Sequence, residues 1–190
     1  MIFVKKIVLC EGKHDQILIS LLLKRNNIPF STKTSTQINN KSEHSGEMII
    51  IREFLGNEGK GKSQLIKEEN GRDNCIFHFS SLYGTRDERY SLKVILDNDE
   101  GHCYDKLRNI IETEHENVHL SSISDYRYSL TKSDAFQVFI YPNTLTASVI
   151  EILNKNPNDY HGEKNLTQLF TRYLSQAPPW ISELESFLMA

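Results

Sequence analysis

Ile7-Val8-Leu9-Cys10-Glu11-Gly12 sets four apolar residues directly against an acid and a glycine. A second stretch, Val94-Ile95-Leu96-Asp97-Asn98-Asp99, repeats the arrangement in mid-chain. Short unbroken apolar runs are the pattern of strands buried on both faces, as in parallel sheets. Open α/β sheets hold ligands at the carboxyl ends of such strands, and both of these ends carry carboxylates. Three acids gathered there repel one another unless a divalent cation neutralises them. The two stretches therefore predict magnesium-dependent phosphate chemistry.

Outward from the first stretch, Asp15 is the expected N-cap of a helix whose apolar residues Ile17, Leu18, Leu21 and Leu22 recur at helical spacing as far as Arg25. Asn26-Asn27 and Pro29 end it. A short strand is expected near Pro29 to Thr34, and the rest of 31–47 reads as polar loop. Met48 to Leu55 fits a helix or a strand equally. A Gly/Lys loop follows, then a short amphipathic segment around Leu65 and Ile66 that would give about two helical turns over 64–70. Cys75 to Phe79 (CIFHF) reads as a strand.

Beyond the second acidic strand, Tyr104, Leu107, Ile110 and Ile111 predict a helix over about 102–116. Phe136 to Tyr141 predicts another strand. Thr144 is the expected cap of a helix carrying Leu145, Val149, Ile152 and Leu153. Leu166, Leu169, Phe170 and Tyr173 mark one further helix, and Trp180, Leu184, Phe187 and Leu188 a last one. Strands alternating with helices indicate an α/β fold, a largely parallel, Rossmann-like sheet flanked by helices. It would occupy residues 1–155, with 31–92 as a long variable region and 156–190 as a short helical C-terminal extension.

At 190 residues the chain suits one domain with a sizeable core. Its net charge of −3 and pI near 6.2 argue against coating nucleic acid through bulk electrostatics, though a local basic patch beside an acidic metal site remains open. Cys10, Cys75 and Cys103 form no disulfide framework or zinc knuckle, so a reducing cytoplasm is the default, with Cys10 a small buried hydrophobe. The N-terminus lacks the apolar core of a signal peptide, and no stretch is long enough to span a membrane.

Strand-Glu-Gly followed by Asp, then strand-Asp-x-Asp entering a helix, resembles the Toprim family named for topoisomerases and primases. The residues that carry the resemblance are IVLCEGKHD (Ile7 to Asp15) and VILDNDEG (Val94 to Gly101). It extends toward the small stand-alone Toprim proteins and the Toprim half of the overcoming-lysogenisation-defect nucleases. The Gly/Lys loop at Gly59 to Lys62 and the strand-proline-helix run YPNTLTASVIEIL (Tyr141 to Leu153) match features of those proteins, although the interval from Phe30 to Lys93 is long for the family. The resemblance implies that Glu11 serves as general acid/base or metal ligand and that Asp97 and Asp99 hold Mg²⁺, with Mn²⁺ as a substitute. Glu151 is the implied extra ligand. Gly12 would let a phosphate approach the backbone, or else supply a turn of positive φ. Lys60 and Lys62 would touch a phosphate backbone. The implied activity is phosphodiester cleavage of DNA or RNA. Priming or strand passage would need further domains.

Two other patterns compete. Gly56-Asn57-Glu58-Gly59-Lys60-Gly61-Lys62-Ser63 satisfies the P-loop expression, which would make the chain an NTPase if a strand precedes it and a helix follows. His115-Glu116-Asn117-Val118-His119 satisfies the zincin expression, which needs both histidines on one helix face. Tyr126 and Tyr128 are able to stack on bases, but surface tyrosines are common. A binding module that keeps the fold and the metal site without turnover, alone as a homodimer or as a subunit of a larger complex, is the rival to catalysis.

Overall fold

Alternate residues of each central strand enter two separate cores. In β1 (Lys5–Cys10), Ile7 and Leu9 join one core while Val8 and Cys10 join the other. The same division holds in β4 (Tyr90–Leu96), where Leu92, Val94 and Leu96 face one side and Ile95 the other. A strand apolar on both faces must be covered on both, and the chain supplies a helical layer for each. The computed structural model describes residues 4–34, 50–56, 59–84, 89–131 and 133–190.

The sheet has seven strands in the order β2-β3-β1-β4-β7-β6-β5. β2 (Phe30–Lys33), β3 (Gln64–Glu68), β1, β4 and β7 (Ser133–Ile140) run parallel. β6 (Arg127–Leu130) and β5 (Leu120–Ser122) add an antiparallel edge. On the first face lie α2 (described over 50–55), α3 (Arg72–Gly84) and α4 (Cys103–Glu114). On the second lie α1 (Lys13–Arg25), α5 (Leu145–Leu153), α6 (Glu163–Ser175) and α7 (Ile181–Met189). This is the expected α/β architecture, doubly wound.

The middle of the chain departs from expectation. Residues 64–68 form β3, a strand inside the sheet between β2 and β1, where two helical turns were expected. Cys75 to Phe79 is helical, not a strand. The apolar residues Cys75, Ile76, Phe79, Leu82 and Tyr83 recur over two turns and pack against the first face, a period that a five-residue window cannot reveal. So the region 31–92, expected to be long and variable with a short strand at its start, contributes β3, α2 and α3 to the framework besides β2. The described part of the ambiguous Met48 to Leu55 stretch is helical, while Met48 and Ile49 lie outside the described residues.

The helical C-terminal extension packs as a layer on the second face of the sheet. Leu166, Phe170, Tyr173, Trp180, Leu184 and Phe187 are buried in the same core as Val8 and Phe139. The final carbonyls of α7 lack intrahelical donors, and the sheet supplies them. Lys6 Nζ donates to the Met189 carbonyl at 2.5 Å, Gln64 Nε2 to the Leu188 carbonyl at 3.0 Å, and Lys93 Nζ to the Phe187 carbonyl. Among the described residues, no helix is long and apolar enough to cross a membrane.

Candidate functional site

The topology singles out one crevice. From β1 the chain moves through α1 on the second face to β2 and β3 on one side. It then returns through α3 on the first face to β4 on the other side. The carboxyl ends of β1 and β4 therefore flank the point where the winding reverses, which is where open α/β sheets bind ligands. Glu11 follows β1 and Asp97 follows β4.

These two acids meet. Glu11 Oε1 accepts a hydrogen bond from the Asp97 backbone N–H at 2.7 Å, across 86 residues of sequence. Asp97 Oδ1 in turn accepts from the Leu145 N–H at 2.8 Å, at the start of α5. Thr144 caps that helix as expected, its Oγ1 accepting from the Ala147 N–H at 3.0 Å. Asp97 thus ties β4 to an otherwise orphan donor in the first turn of α5.

Asp15 is a third member, and its role differs from the one expected. Gly12 is the N-cap of α1, and Asp15 sits one turn inside, its Oδ2 accepting from the Gly12 N–H at 3.0 Å. The carboxyl is buried. Its Oδ1 and the Tyr141 hydroxyl, which lies near enough to favour the charged form, both fail to complete a hydrogen bond among the described residues. Gly12 itself has φ −153°, extended backbone open to any residue, and a Cβ there would meet only Asp15 Oδ2 at 3.9 Å. The positive-φ alternative fails. What glycine leaves is bare backbone beside the acids.

Burial and mutual repulsion hold protons on this cluster. Burial chiefly, with Asp97 and Asp15 nearby, raises the Glu11 carboxyl to about 8 against the pull of its hydrogen bond from the Asp97 N–H. Burial and the Asp97 charge raise Asp15 to about 7. Asp97 is raised to about 6, first by burial and then by Asp99, against the bond from the Leu145 N–H. Such carboxyls take up either protons or a cation.

Asp99 opens the short 3₁₀ turn Asp99–Gly101 and is half-exposed; its Oδ2 lies 3.4 Å from Arg72 Nη1. Arg72, the first residue of α3, was not anticipated. Its charge lowers the pKa of Glu11 and of Asp97 as well. Gly71 brings it there, with φ +115° and an N–H that donates to the Glu11 carbonyl at 2.7 Å. An arginine next to a glycine carries no strong local signal. Only the correct reading of β3 as a strand would have put residue 72 at a strand's carboxyl end.

Other expected site residues fall elsewhere. Glu151 is exposed on α5, six residues past Leu145 and so about 9 Å along the helix, where its charge bears on Tyr173 and not on the acid cluster. The polar side chain that α5 buries, beside Leu145 and Val149, is Ser148, bonded to the Tyr173 hydroxyl at 2.6 Å. Lys60 and Lys62 are exposed in the loop that leads into the start of β3, at the amino ends of the strands. The length of β1 separates them from Glu11, roughly 17 Å, so they do not line the crevice.

The rival motifs lose their context too. Gly56–Ser63 joins α2 to β3, helix to strand, the reverse of the order a phosphate-cradling loop requires; Asn57 and Glu58 lie outside the described residues. Its Gly59 serves packing: a Cβ there would lie 1.8 Å from the Phe54 carbonyl oxygen, and Lys5 Nζ bonds the Phe54 and Gly59 carbonyls, each at 2.8 Å. His115 is the extended C-cap of α4, with its ring on Ser80, while His119 lies beyond the helix beside Glu112. The two histidines share no helix face.

A resident metal finds a partial fit. Among the described residues, no three His, Cys, Asp or Glu side chains gather closely enough to make an all-protein cage. Magnesium does not demand one, since it keeps waters and is bound by one or two carboxylates plus substrate phosphate. Glu11 and Asp97 each spend one oxygen on a backbone N–H and keep the other, and Asp99 is partly open to solvent. The hard oxygens of Glu11 and Asp97, whose ionisation burial opposes first, fit that group.

No protein-family model and no curated protein matches the chain. Two solved structures do, both solution NMR structures of de novo designed proteins described as P-loop NTPase folds. Each is 11% identical at a TM-score of 0.39; one match covers 91% of this chain and 92% of that one, the other 94% and 96%. So distant a likeness carries no argument about the site.

Proposed function

We propose that the chain is a Toprim-type phosphodiesterase, cleaving DNA or RNA with Mg²⁺ or Mn²⁺ bound by Asp97 and Asp99 beside Glu11. The observation that carries this reading is the 2.7 Å bond from the Asp97 N–H to Glu11 Oε1, which joins the two acidic strand ends at the winding reversal. A bound cation would neutralise phosphoryl oxygens and lower the pKa of a coordinated water. In the cation-free protein burial raises Glu11 to about 8; beside a bound cation it would serve as general acid/base or as a further ligand. The bare backbone at Gly12 leaves space for a phosphate beside it. Binding without turnover, with the same fold and metal site kept, is the competing reading.

The test is cleavage of labelled single-stranded and duplex DNA and RNA in Mg²⁺ or Mn²⁺. Asp97→Asn is expected to lower the rate by about 10²-fold or more, the scale on which one electrostatic group acts in catalysis. Wild-type protein that binds these substrates and cleaves none of them would leave the binding module as the function.

A further inference from the structure

Arg72 is a cation within an acid cluster, at the start of a helix and at the edge of the reaction crevice. Its side chain is about a quarter exposed, so one face of it is open to a ligand. Nη1 rests on Asp99 Oδ2 at 3.4 Å, beyond the length of a strong charge-assisted bond. Nε is buried and finds no hydrogen-bond partner among the described residues. A guanidinium offers Nε and Nη as a fork whose spacing matches two oxygens of a phosphate. The unsatisfied Nε is buried, so the fork meets a phosphate only once the side chain leaves Asp99, which holds Nη1 loosely and is a carboxylate that a cation would claim.

We propose that Arg72 is the substrate-phosphate ligand of this site, held by Asp99 until a divalent cation takes that carboxylate and then released to the scissile phosphodiester. The inference rests on the phosphodiesterase reading and adds to it a residue and an order of events. With no cation Asp99 holds Arg72, so an arriving metal must compete with the arginine for that carboxylate. With Asp99 taken by the cation, the arginine would be free to bind the substrate phosphate, and the positive charge of both would offset the crowded carboxylates.

The competition gives the test a signature that a merely structural arginine lacks. Mn²⁺ affinity is read from the electron paramagnetic resonance signal of free Mn²⁺. Oligonucleotide affinity is read from the fluorescence anisotropy of labelled single-stranded DNA and RNA in Ca²⁺. Arg72→Ala is expected to bind Mn²⁺ roughly fivefold tighter and oligonucleotide about tenfold weaker, the loss of one charge-assisted bond. Arg72→Lys, a point charge without the fork, should fall between. In an Asp99→Asn background, Arg72→Ala should tighten Mn²⁺ clearly less, because the competition for Asp99 has gone and only the arginine's charge on Glu11 and Asp97 remains. Folded Arg72→Ala protein whose two affinities both fall, or both stay unchanged, overturns the inference and leaves the phosphodiesterase reading intact. Wild-type protein that binds neither Mn²⁺ nor oligonucleotide defeats that reading, and this inference with it.

Discussion

A carboxyl buried with one oxygen unpartnered costs a fold something, and Asp15 is such a group. Its other oxygen restrains the Gly12 N–H at the entrance of α1, a bond that an amide oxygen would accept equally well. Asn in its place would keep that bond and remove a charge facing Asp97 and Glu11. Asp15→Asn is therefore expected to stabilise cation-free protein at pH 8 by about 1–2 kcal/mol, the scale of relieving an unsatisfied buried group. At pH 5, closer to the ordinary aspartate value, the gain should be smaller, because the penalty of the raised carboxyl grows only between about pH 4 and 7. Thermal melts at the two pH values check this, with a rise of roughly 2–8 °C at the higher one and a smaller rise at the lower. An equal shift at both would mean that Asp15 acts through packing and not through charge.

At the scale of elements, one ring of α7 packs centrally between the C-terminal layer and the sheet, beside the hydrogen bonds from Lys6, Gln64 and Lys93. Phe187 is fully buried, 5.6 Å from the Phe139 ring, with Lys93 Nζ 4.9 Å from its centroid. Phe187→Ala should cost about 3–5 kcal/mol and lower the melting temperature by roughly 10 °C. A drop under about 2 °C would show that the last helix is dispensable. The sequence displayed α1, α4, α5, α6 and α7 through their apolar spacing, and β1, β4 and β7 through unbroken apolar runs. It concealed β3, because Gln64 and Lys67, polar residues that usually signal solvent, are buried there: Gln64 bonds the Leu188 carbonyl, and Lys67 pairs with Glu69 at 2.6 Å. It concealed α3 for the opposite reason, since CIFHF alone is as apolar as a strand. Glu11, Asp97 and Asp99 were legible because strand ends announce themselves. Arg72 depended on the two elements that were misread, and Glu151 pointed to the right helix at the wrong turn.

Across the whole molecule, acids are buried at the carboxyl ends of the strands and a lysine is buried mid-strand under α7, and their titrations oppose one another. At the carboxyl ends, Glu11, Asp15 and Asp97 are raised to about 8, 7 and 6. The folded state then holds more protons than the unfolded one from about pH 4 upward, so stability falls as pH rises through 6 to 8. Under α7, Lys93 is lowered to about 7 by burial and then by Lys6 and Arg127. There the unfolded state holds the extra proton between about 7 and the ordinary lysine value, so this part of the stability is lost as pH falls through 7 and returns on the alkaline side. Cation-free protein should thus be least stable near pH 7–8. Saturating Mg²⁺ should flatten the descent from pH 5 to 8, since ionised carboxylates are what it binds, and leave the alkaline recovery untouched. Lys93→Met should do the reverse. Melting curves from pH 5 to 10, with and without cation, separate the two titrations, and the difference between paired curves cancels every other titrating group. A cation-induced difference that does not grow between pH 5 and 8 would mean that the acids at the winding reversal are not where the metal binds.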